Sequence, residues 1–518
     1  MVSPLITQVK AWQWPQWVVA VALVIGAFLR LWNIPGTVQF LGDQGRDAII
    51  AKEILVDHDP VLIGPVTSTG NMYLGPLYYY FMVPFLALTY PSPLGPAYAV
   101  ATISIIGIFL MYRLGKEMLG EPTAALSSLL FAISAIVVEY ARFSWNPNLA
   151  PVVGIIVVWA TWKAWQAHPK YYILAALGVA VLIQLHYVAL LTLPAIGTVF
   201  LRNVWERRQN STQTHGKNAG KFVSWQTFWQ CALVSVALFL AMQAPLVLFD
   251  ARHDWLNARS FSKFLTQREG TISQVTQANK ILRVASETHG RSLMLFAELY
   301  LGNLRLLNTV IVICILGTLG WLMRSTTGTK QQAIYVVLAS FSGWAVLGLA
   351  FYESSVFAHY VAYFYPITLW LYSIMLWRAT KVNQGKWLAV IGVTIFAAWN
   401  IPHIRLHSLG WTITDIKATA QTIHDHVQAG EKYNIVLLTG TGDIEGQNYR
   451  YFLNVSDRPP LPRERWGEVD TLFIINEDHK IKRVIDSPIY EIVVFPNKRP
   501  AEVYTIPNGP EITILRRE

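Results

Sequence analysis

Charged residues and cysteines are scarce in this chain of 518 residues. Asp, Glu, Lys and Arg make up only 14% of it, whereas 53% is hydrophobic, a balance that favours a membrane protein over a chain of soluble domains. The only two cysteines, Cys231 and Cys314, both lie inside apolar runs. We therefore expect neither a disulfide framework nor a thiolate metal site.

The sequence also lacks the motifs of several other function classes. TGTGD at 439–443 follows a strand pattern, but it has neither the Lys-Ser/Thr ending of a phosphate loop nor a full dinucleotide fingerprint, so a plain turn is favoured. No carboxylate array of metal-site spacing stands out. The net charge of +10 resides largely in short loops between apolar runs, which indicates membrane orientation and not a nucleic-acid partner.

Eleven apolar runs are candidates for transmembrane helices, because a spanning helix needs about 20 mostly apolar residues. A twelfth stretch, at 77–90, is shorter and contains Pro84, which favours a juxtamembrane or re-entrant helix in the first outer loop. The eleven runs lie near residues 17–32, 97–112, 123–141, 147–162, 171–184, 187–201, 226–249, 304–323, 332–351, 360–377 and 387–401.

The positions of Lys and Arg predict the orientation of these spans. When the stretch 77–90 is not counted as a span, the basic short loops all fall on the same side as Lys10, which the positive-inside rule assigns to the cytoplasm. The loops 33–96 and 250–303 and the C-terminal tail then lie on the opposite side. The sequence predicts a multi-pass protein of the cell membrane with a cytoplasmic N-terminus and an extracytoplasmic C-terminus.

The character of the chain changes at Trp411, where a charged segment with short β-rich runs begins. A helical pattern at 412–429 is followed by the runs NIVLLT, TLFII, EIVVF and EITIL, each bounded by turn residues. We therefore divide the chain into an α-helical polytopic membrane domain, 1–410, and a small soluble extracytoplasmic α/β domain, 411–518.

The first outer loop carries the densest group of charges, in FLGDQGRDAIIAKEILVDHDP. Asp43, Arg46 and Asp47 cluster at the start of an amphipathic helical pattern. A partly desolvated carboxylate can act as a general base, and an arginine one turn away can bind a phosphate. The alternative is an N-capping Asp with a local salt bridge. A divalent cation shared by Asp43 and Asp47 is a further possibility.

Other polar and aromatic residues lie at the predicted outer ends of the spans. The tyrosines of NMYLGPLYYYFMVPF can line a groove for a polyprenyl chain or a sugar, or they can be ordinary interfacial belt residues. Ionisable groups at membrane depth are candidates for function. The candidates at the outer ends are Arg142, Asn146, His186, Asp250, Arg252, His253, Asp254, Glu353 and His359.

The order of these motifs resembles the GT-C membrane glycosyltransferases, specifically the family of protein O-mannosyltransferases and the aminoarabinose transferase that modifies lipid A. The resemblance rests on FLRLWNIPG, GDQGRDAIIAKEIL, HDPVLIGP, LGPLYYYFMVPFLAL and RLGKEMLG, in this order. In that family the first-loop motif is usually Asp-Glu and its Asp is catalytic, which would assign this role to Asp43. Here Gln44 replaces the second acid.

The resemblance also implies how a donor phosphate is held. Arg46 stands where the aminoarabinose transferase has an arginine near its donor phosphate. Relatives often have Lys-Pro or His-Pro where this chain has Gly75-Pro76, so another basic residue is needed, and Arg259, Lys263 and His359 lie in comparable regions. The remaining candidates, for substrate binding, are Asp47, Tyr78, Tyr79, Asn146, His186 and Tyr360.

The implied reaction is transfer of a sugar, with inversion, from a polyprenyl-phosphate donor to an acceptor on the extracytoplasmic face. Protein, glycan and lipid acceptors all stay open, and the expected partners are the donor and membrane lipid. No cofactor is assigned. The competing hypotheses are a transporter or flippase of lipid-linked glycans, although inverted repeats are not evident, and a glycan polymerase or ligase.

Overall fold

A computed structural model describes residues 13–67, 70–166, 168–211, 223–266, 277–327, 330–352, 355–408, 410–440, 442–478, 481 and 483–517. Within these residues, eight helices are long and apolar enough to cross a membrane, as expected for a multi-pass membrane protein. They are Trp14–Leu31, Leu94–Leu119, Asn146–Trp165, Tyr187–Gln209, Trp225–Met242, Arg305–Ser325, Gln331–Ala350 and Gly385–His403.

The three other runs predicted as spans form shorter helices. Within the described residues, helix length therefore supports eight of the eleven predicted spans. Glu121–Ile133 ends where Ser134 adopts an extended backbone, and the chain turns helical again over Ala135–Tyr140. Tyr171–Leu185 ends at the extended His186. Tyr365–Ala379 follows the 3-10 turn Ala358–Phe364, and its side chains from 365 to 374 are all buried, which makes it a central helix of the bundle.

The loop 33–96, which the sequence predicts to be the first outer loop, contains short helices, as predicted. Gly42–Lys52 continues into a π-helical turn, Glu53–Asp57, and the juxtamembrane stretch forms Leu77–Ala87. The remaining helical segments of the membrane part are Ile34–Thr37, Ala244–Arg252, Leu256–Thr266, Gln277–Leu293, Met294–Glu298 and Leu299–Leu301.

The C-terminal part contains a four-stranded sheet with the order β1-β2-β4-β3. Strand β1 pairs with β2 in parallel, and the other two pairings are antiparallel. The strands are β1 Tyr433–Leu438, β2 Thr471–Asn476, β3 Pro500–Thr505 and β4 Glu511–Arg516. The helical segments of this part are Ile413–His426, Gln447–Asn454, Arg463–Glu468, Val484–Asp486 and Tyr490–Val493.

Three of the four predicted strands are confirmed, but the strand prediction for EIVVF is wrong. This stretch holds the short helix Tyr490–Val493, and its buried apolar side chains are Ile492 and Phe495, which are three residues apart as on a helical face. The fourth strand is β3, which is mostly exposed and lies at the edge of the sheet. Its exposed, charged sequence has no apolar alternation, which is why the pattern did not reveal it.

Candidate functional site

The acidic motif lies on the helix Gly42–Lys52, which we call the acidic-loop helix. The backbone N–H of Leu41, at the N-cap, donates to the side-chain oxygen of Gln44 at 3.0 Å. This bond satisfies one of the amides that are left without a partner at a helix start. Gln44, which stands where the resembling family has an acid, therefore caps this helix and is itself buried.

One face of the acidic-loop helix holds a linked group of three charges. Nη1 of Arg46 donates to Oδ1 of Asp43 at 2.8 Å, while Nε and Nη2 donate to Oδ1 of Asp47 at 3.0 and 2.7 Å. The Asp47 side chain is 0% exposed, whereas that of Asp43 is 49% and that of Arg46 24% exposed. Asp43 and Arg46 therefore present the accessible surface, and Asp47 supports Arg46 from within.

Burial changes the acid-base properties of Asp47. It raises the pKa of this carboxyl to about 6, although the adjacent Arg46 opposes the shift. In turn, the two aspartates and the neighbouring Tyr79 raise the pKa of Arg46, despite its burial. The guanidinium thus stays charged, and the second oxygen of Asp47, Oδ2, has no hydrogen-bond partner within the described structure.

Beside Asp43 lies an aromatic-histidine cluster, consisting of Tyr140, Trp145, His186, His359 and Tyr360. The ring of His359 lies 4.3 Å from that of Trp145 and 5.9 Å from that of His186, and His186 lies 4.4 Å from Tyr360. Burial lowers the pKa of His359 to about 4, while Asp43 opposes this shift, and burial with His359 lowers the pKa of His186 to about 3. Both imidazoles are therefore neutral near pH 7.

These positions sharpen the expected roles of the two histidines. A neutral His359 can donate one N–H hydrogen bond to a phosphate, but it brings no positive charge. His186 accepts the backbone N–H of Val188 through Nδ1 at 3.2 Å, which caps the turn that follows it. One ring nitrogen of His186 is therefore already engaged.

Several residues that the sequence predicts to bind substrate are buried and form contacts within the protein. The hydroxyl of Tyr78 forms a hydrogen bond with that of Ser144 at 2.7 Å, and Tyr79 is buried beside Asp47 and Arg46. The amide nitrogen of Asn146 donates to the carbonyl of Leu185, at the end of a helix. Their substrate roles stay predictions, and their present contacts position the walls of the site.

Arg259 and Lys263 lie on the helix Leu256–Thr266, with exposed side chains. Among the described residues, no hydrogen bond or ion pair joins either of them to the acidic-loop helix. Asp250 accepts the backbone N–H groups of Asn257 and Ala258 at 2.7 and 2.9 Å, so this predicted polar residue caps that helix. Glu353 lies outside the described residues.

Two arginines hold the base of the loop 33–96. Arg142 donates to the carbonyls of Leu29 and Trp32 at the end of the first span. Arg30, on that span, donates in return to the carbonyls of Phe131 and Ala132, which the helix break at Ser134 leaves free. The sequence marked Arg142 as a polar residue at a predicted span end, but the role of Arg30 could not be foreseen, because it depends on the helix break.

A cavity of about 670 Å³ borders the N-terminal end of the acidic-loop helix. Residues 36–41 form one wall, and Arg142, Arg405, Trp411 and Glu477 contribute to the others. A cavity therefore lies between the membrane part and the C-terminal part, next to the acidic motif.

The prediction of a cation between Asp43 and Asp47 stays a prediction. The guanidinium of Arg46 contacts both carboxylates in this structure. Over the ranges that the structure describes, no group of three or more His, Cys, Asp or Glu side chains is arranged to hold a metal ion.

The comparisons with known proteins agree on the fold. Residues 74–223 match the model of the family described as dolichyl-phosphate-mannose-protein mannosyltransferase. This stretch includes Tyr78, Asn146 and His186 but begins after the acidic-loop helix. No curated protein sequence matches the chain significantly.

Solved structures of two GT-C glycosyltransferases are similar over most of the chain. ArnT from Cupriavidus metallidurans in the apo state is 13% identical, with a TM-score of 0.57 and 97% of each chain covered. Bound to undecaprenyl phosphate, it gives a TM-score of 0.50 at 13% identity, with 97% of this chain and 98% of that chain covered. The second similar structure is the archaeal oligosaccharyltransferase AglB from Archaeoglobus fulgidus, in complex with an inhibitory peptide and a dolichol-phosphate. It is 11% identical to this chain, with a TM-score of 0.51, and the match covers 89% of this chain and 69% of AglB. The chain is therefore a multi-pass membrane protein with the fold of the GT-C glycosyltransferases.

Proposed function

We propose that this protein transfers a sugar from a polyprenyl-phosphate donor to an acceptor on the extracytoplasmic face of the membrane, with inversion at the anomeric carbon. The observation that carries the proposal is the acidic-loop helix, where the accessible Asp43 contacts Arg46 at 2.8 Å beside the aromatic-histidine cluster. The GT-C fold and the undecaprenyl phosphate bound to ArnT support a lipid-phosphate donor.

In this proposal Asp43 is the general base. As the acceptor oxygen bonds to the anomeric carbon, the bond from that carbon to the phosphate oxygen breaks, and the acceptor proton passes to the Asp43 carboxylate. The polyprenyl phosphate leaves with the bonding electrons. Because it is already a good leaving group, the protein needs mainly to orient the acceptor and to stabilise the departing charge.

Arg46 supplies that charge stabilisation. A guanidinium has five N–H donors, and three of those of Arg46 are engaged with Asp43 and Asp47. Because the side chain of Tyr79 also interacts with Arg46, one remaining N–H can contact a phosphate, and the bond to Asp43 can be exchanged for a second phosphate contact. Such an exchange frees the Asp43 carboxylate for the acceptor, while the two bonds to buried Asp47 keep Arg46 in place.

The test is transfer by the purified protein in lipid nanodiscs with a radiolabelled polyprenyl-phosphate sugar and a panel of protein, glycan and lipid acceptors. We expect label to reach one acceptor class, and Asp43→Asn to reduce transfer by about 100-fold or more while donor binding persists. Asp57→Asn is the matched control, since Asp57 is a half-exposed carboxylate of the same loop, paired with Lys52. If label stays on the lipid for every acceptor, for wild type and variant alike, the proposal fails.

The same assay separates the competing functions. A flippase moves the labelled lipid between leaflets of a proteoliposome without releasing sugar from phosphate. A polymerase yields label in products of increasing length, and a ligase transfers a whole preformed glycan and not a single sugar. Flipping breaks no bond, so it is not expected to depend on the carboxylate of Asp43 as a proton acceptor.

A further inference from the structure

The two glycines of the GDQG motif face the C-terminal part of the chain. Gly42 and Gly45 are three residues apart on the acidic-loop helix and so lie on one face. Asp43, Arg46 and Asp47 lie on a different face, about 120° away at 3.6 residues per turn. One helix therefore carries the proposed chemistry on one side and two residues without side chains on another.

The glycine face is covered at very short range by the segment 443–448. A Cβ atom on Gly45 would lie 2.4 Å from the backbone nitrogen of Asn448 and 2.4 Å from the backbone carbonyl of Gln447. A Cβ atom on Gly42 would lie 2.5 Å from Oδ2 of Asp443. A methyl group at position 45 therefore requires the two helices to move apart, and one at position 42 requires the Asp443 side chain to move.

Further contacts fix the same interface. The ring of Phe40, just before the acidic-loop helix, lies 5.9 Å from that of Tyr451 and 5.8 Å from that of Phe452. The hydroxyl of Tyr451 donates to the carbonyl of Pro91 at 2.9 Å. Asp443 also accepts the backbone N–H of Gln447 at 2.9 Å, so the residue that contacts Gly42 caps the helix Gln447–Asn454.

We propose that the C-terminal part positions the catalytic face of the acidic-loop helix, through the contact of Gly42 and Gly45 with Asp443, Gln447 and Asn448. This inference rests on the proposed function, and it assigns positioning roles to residues that touch no substrate. The TGTGD turn, which resembled an incomplete nucleotide motif, supplies Asp443 to this contact. In this proposal the acidic motif needs glycines at 42 and 45 because the segment 443–448 packs directly against them.

The size of the expected effect follows from geometry. Ordinary van der Waals contact for a Cβ begins near 3.4 Å, so an alanine at 45 must separate the two helices by about 1 Å, and the contacted atoms are backbone that cannot rotate away. A displacement of that size at a catalytic group can lower the rate by about 100-fold. We expect Gly45→Ala to reduce kcat by about 10- to 100-fold, with a smaller change in KM for the donor. Gly317→Ala is the control, because a Cβ there meets nothing within 4 Å.

The atoms contacted at the two glycines predict a specific pattern of rescue. The clash at Gly42 is with side-chain atoms of Asp443 only, so Asp443→Gly removes it, whereas the clash at Gly45 is with backbone and persists. The double variant Asp443→Gly, Gly42→Ala should then have nearly the same kcat as Asp443→Gly alone. The double variant Asp443→Gly, Gly45→Ala should have a lower kcat than Asp443→Gly alone, by the same factor that Gly45→Ala causes in the wild-type background. If the alanines only destabilised the protein, both double variants would lose more activity than Asp443→Gly alone.

Hydrogen exchange of the amides of residues 42–52 reports the docking independently of activity. We expect faster exchange in Gly45→Ala than in wild type and in Gly317→Ala. Unchanged exchange and unchanged kcat in Gly45→Ala, or equal loss of kcat in both double variants, would overturn the positioning role. If wild type transfers no sugar and Gly45→Ala still speeds exchange, the docking contact stands and the proposed transferase function fails.

Discussion

Nε and Nη2 of Arg46 both donate to the same oxygen of Asp47, while Nη1 donates to Asp43. Asp47 is completely buried, so it acts on Arg46 from inside the protein and cannot itself be the accessible base. The two acids of the motif therefore have different roles. Asp43 faces solvent, and Asp47 anchors the Arg46 guanidinium. Substitutions of Arg46 will affect both stability and the site, and the two effects need to be separated.

The first prediction separates them with a double variant. Arg46→Ala leaves the buried Asp47 carboxyl without its partner, and breaking a buried pair in this way costs about 3–5 kcal/mol, so the Tm in detergent should fall markedly. Adding Asp47→Asn removes the unpaired charge and should restore much of the Tm. Binding of a polyprenyl phosphate should stay weak in both variants. Recovery of lipid binding together with the Tm would contradict the assignment of Arg46 to the donor phosphate.

The second prediction concerns pH. Burial raises the pKa of Asp47 to about 6, above the ordinary value of 3.8, so the folded protein binds this proton more tightly than the unfolded chain does. The stability that this group contributes is present below about pH 4 and is lost as the pH rises through 6, a change of about 3 kcal/mol. Asp47→Asn keeps an oxygen acceptor for Arg46 but does not titrate.

We therefore expect the Tm of wild type to fall relative to that of Asp47→Asn between pH 4 and pH 7, measured by thermal unfolding in one detergent. Asp57→Asn, at a half-exposed position, should show little of this relative change. A wild type that gains stability over Asp47→Asn across this range would mean that attraction to Arg46 outweighs burial.

The chemistry of this site was more visible in the sequence than its packing. Asp43 and Arg46 were identifiable because charges are rare beside apolar runs and because their spacing puts them on one helical face. The burial of Asp47 was not visible, since it depends on residues far away in the chain, including Tyr79. The docking role of Gly42 and Gly45 likewise depends on a segment 400 residues later, as their contacts with 443–448 show.

The fold, too, could be predicted from the sequence only where it does not depend on contacts between distant parts of the chain. Apolar length located the long helices, but the interruption at Ser134 is stabilised by partners from other helices. Arg30 donates to the freed carbonyls of Phe131 and Ala132, and the backbone N–H of Ala135 donates to the side-chain oxygen of Asn400 at 2.8 Å. Such a break is a tertiary effect, so a continuous apolar run at 123–141 predicts one helix where the structure has two.

The third prediction tests the cap of the acidic-loop helix. Gln44→Ala removes the acceptor of the Leu41 N–H, and loss of a helix cap costs about 0.5–2 kcal/mol. We expect a lower Tm and faster hydrogen exchange at the start of this helix. Gln421→Ala is the control, because Gln421 is an exposed glutamine whose side chain contacts only its own helix. Equal Tm values for the two variants would contradict a capping role for Gln44.

The fourth prediction concerns the anchor of the loop 33–96. Arg142→Met keeps the length of the side chain but leaves the carbonyls of Leu29 and Trp32 without their donor. The bond to Leu29 is buried, and an unsatisfied buried group costs about 1–3 kcal/mol. These carbonyls end the span that leads to the acidic motif, so we expect both the Tm and the transfer rate to fall. Arg113→Met is the control, since Arg113 forms a surface ion pair with Glu117 that contributes about 0–1 kcal/mol. If Arg142→Met unfolds at the same temperature as Arg113→Met, the end of the first span does not depend on Arg142, and the loop must be held by its contacts with the C-terminal part instead.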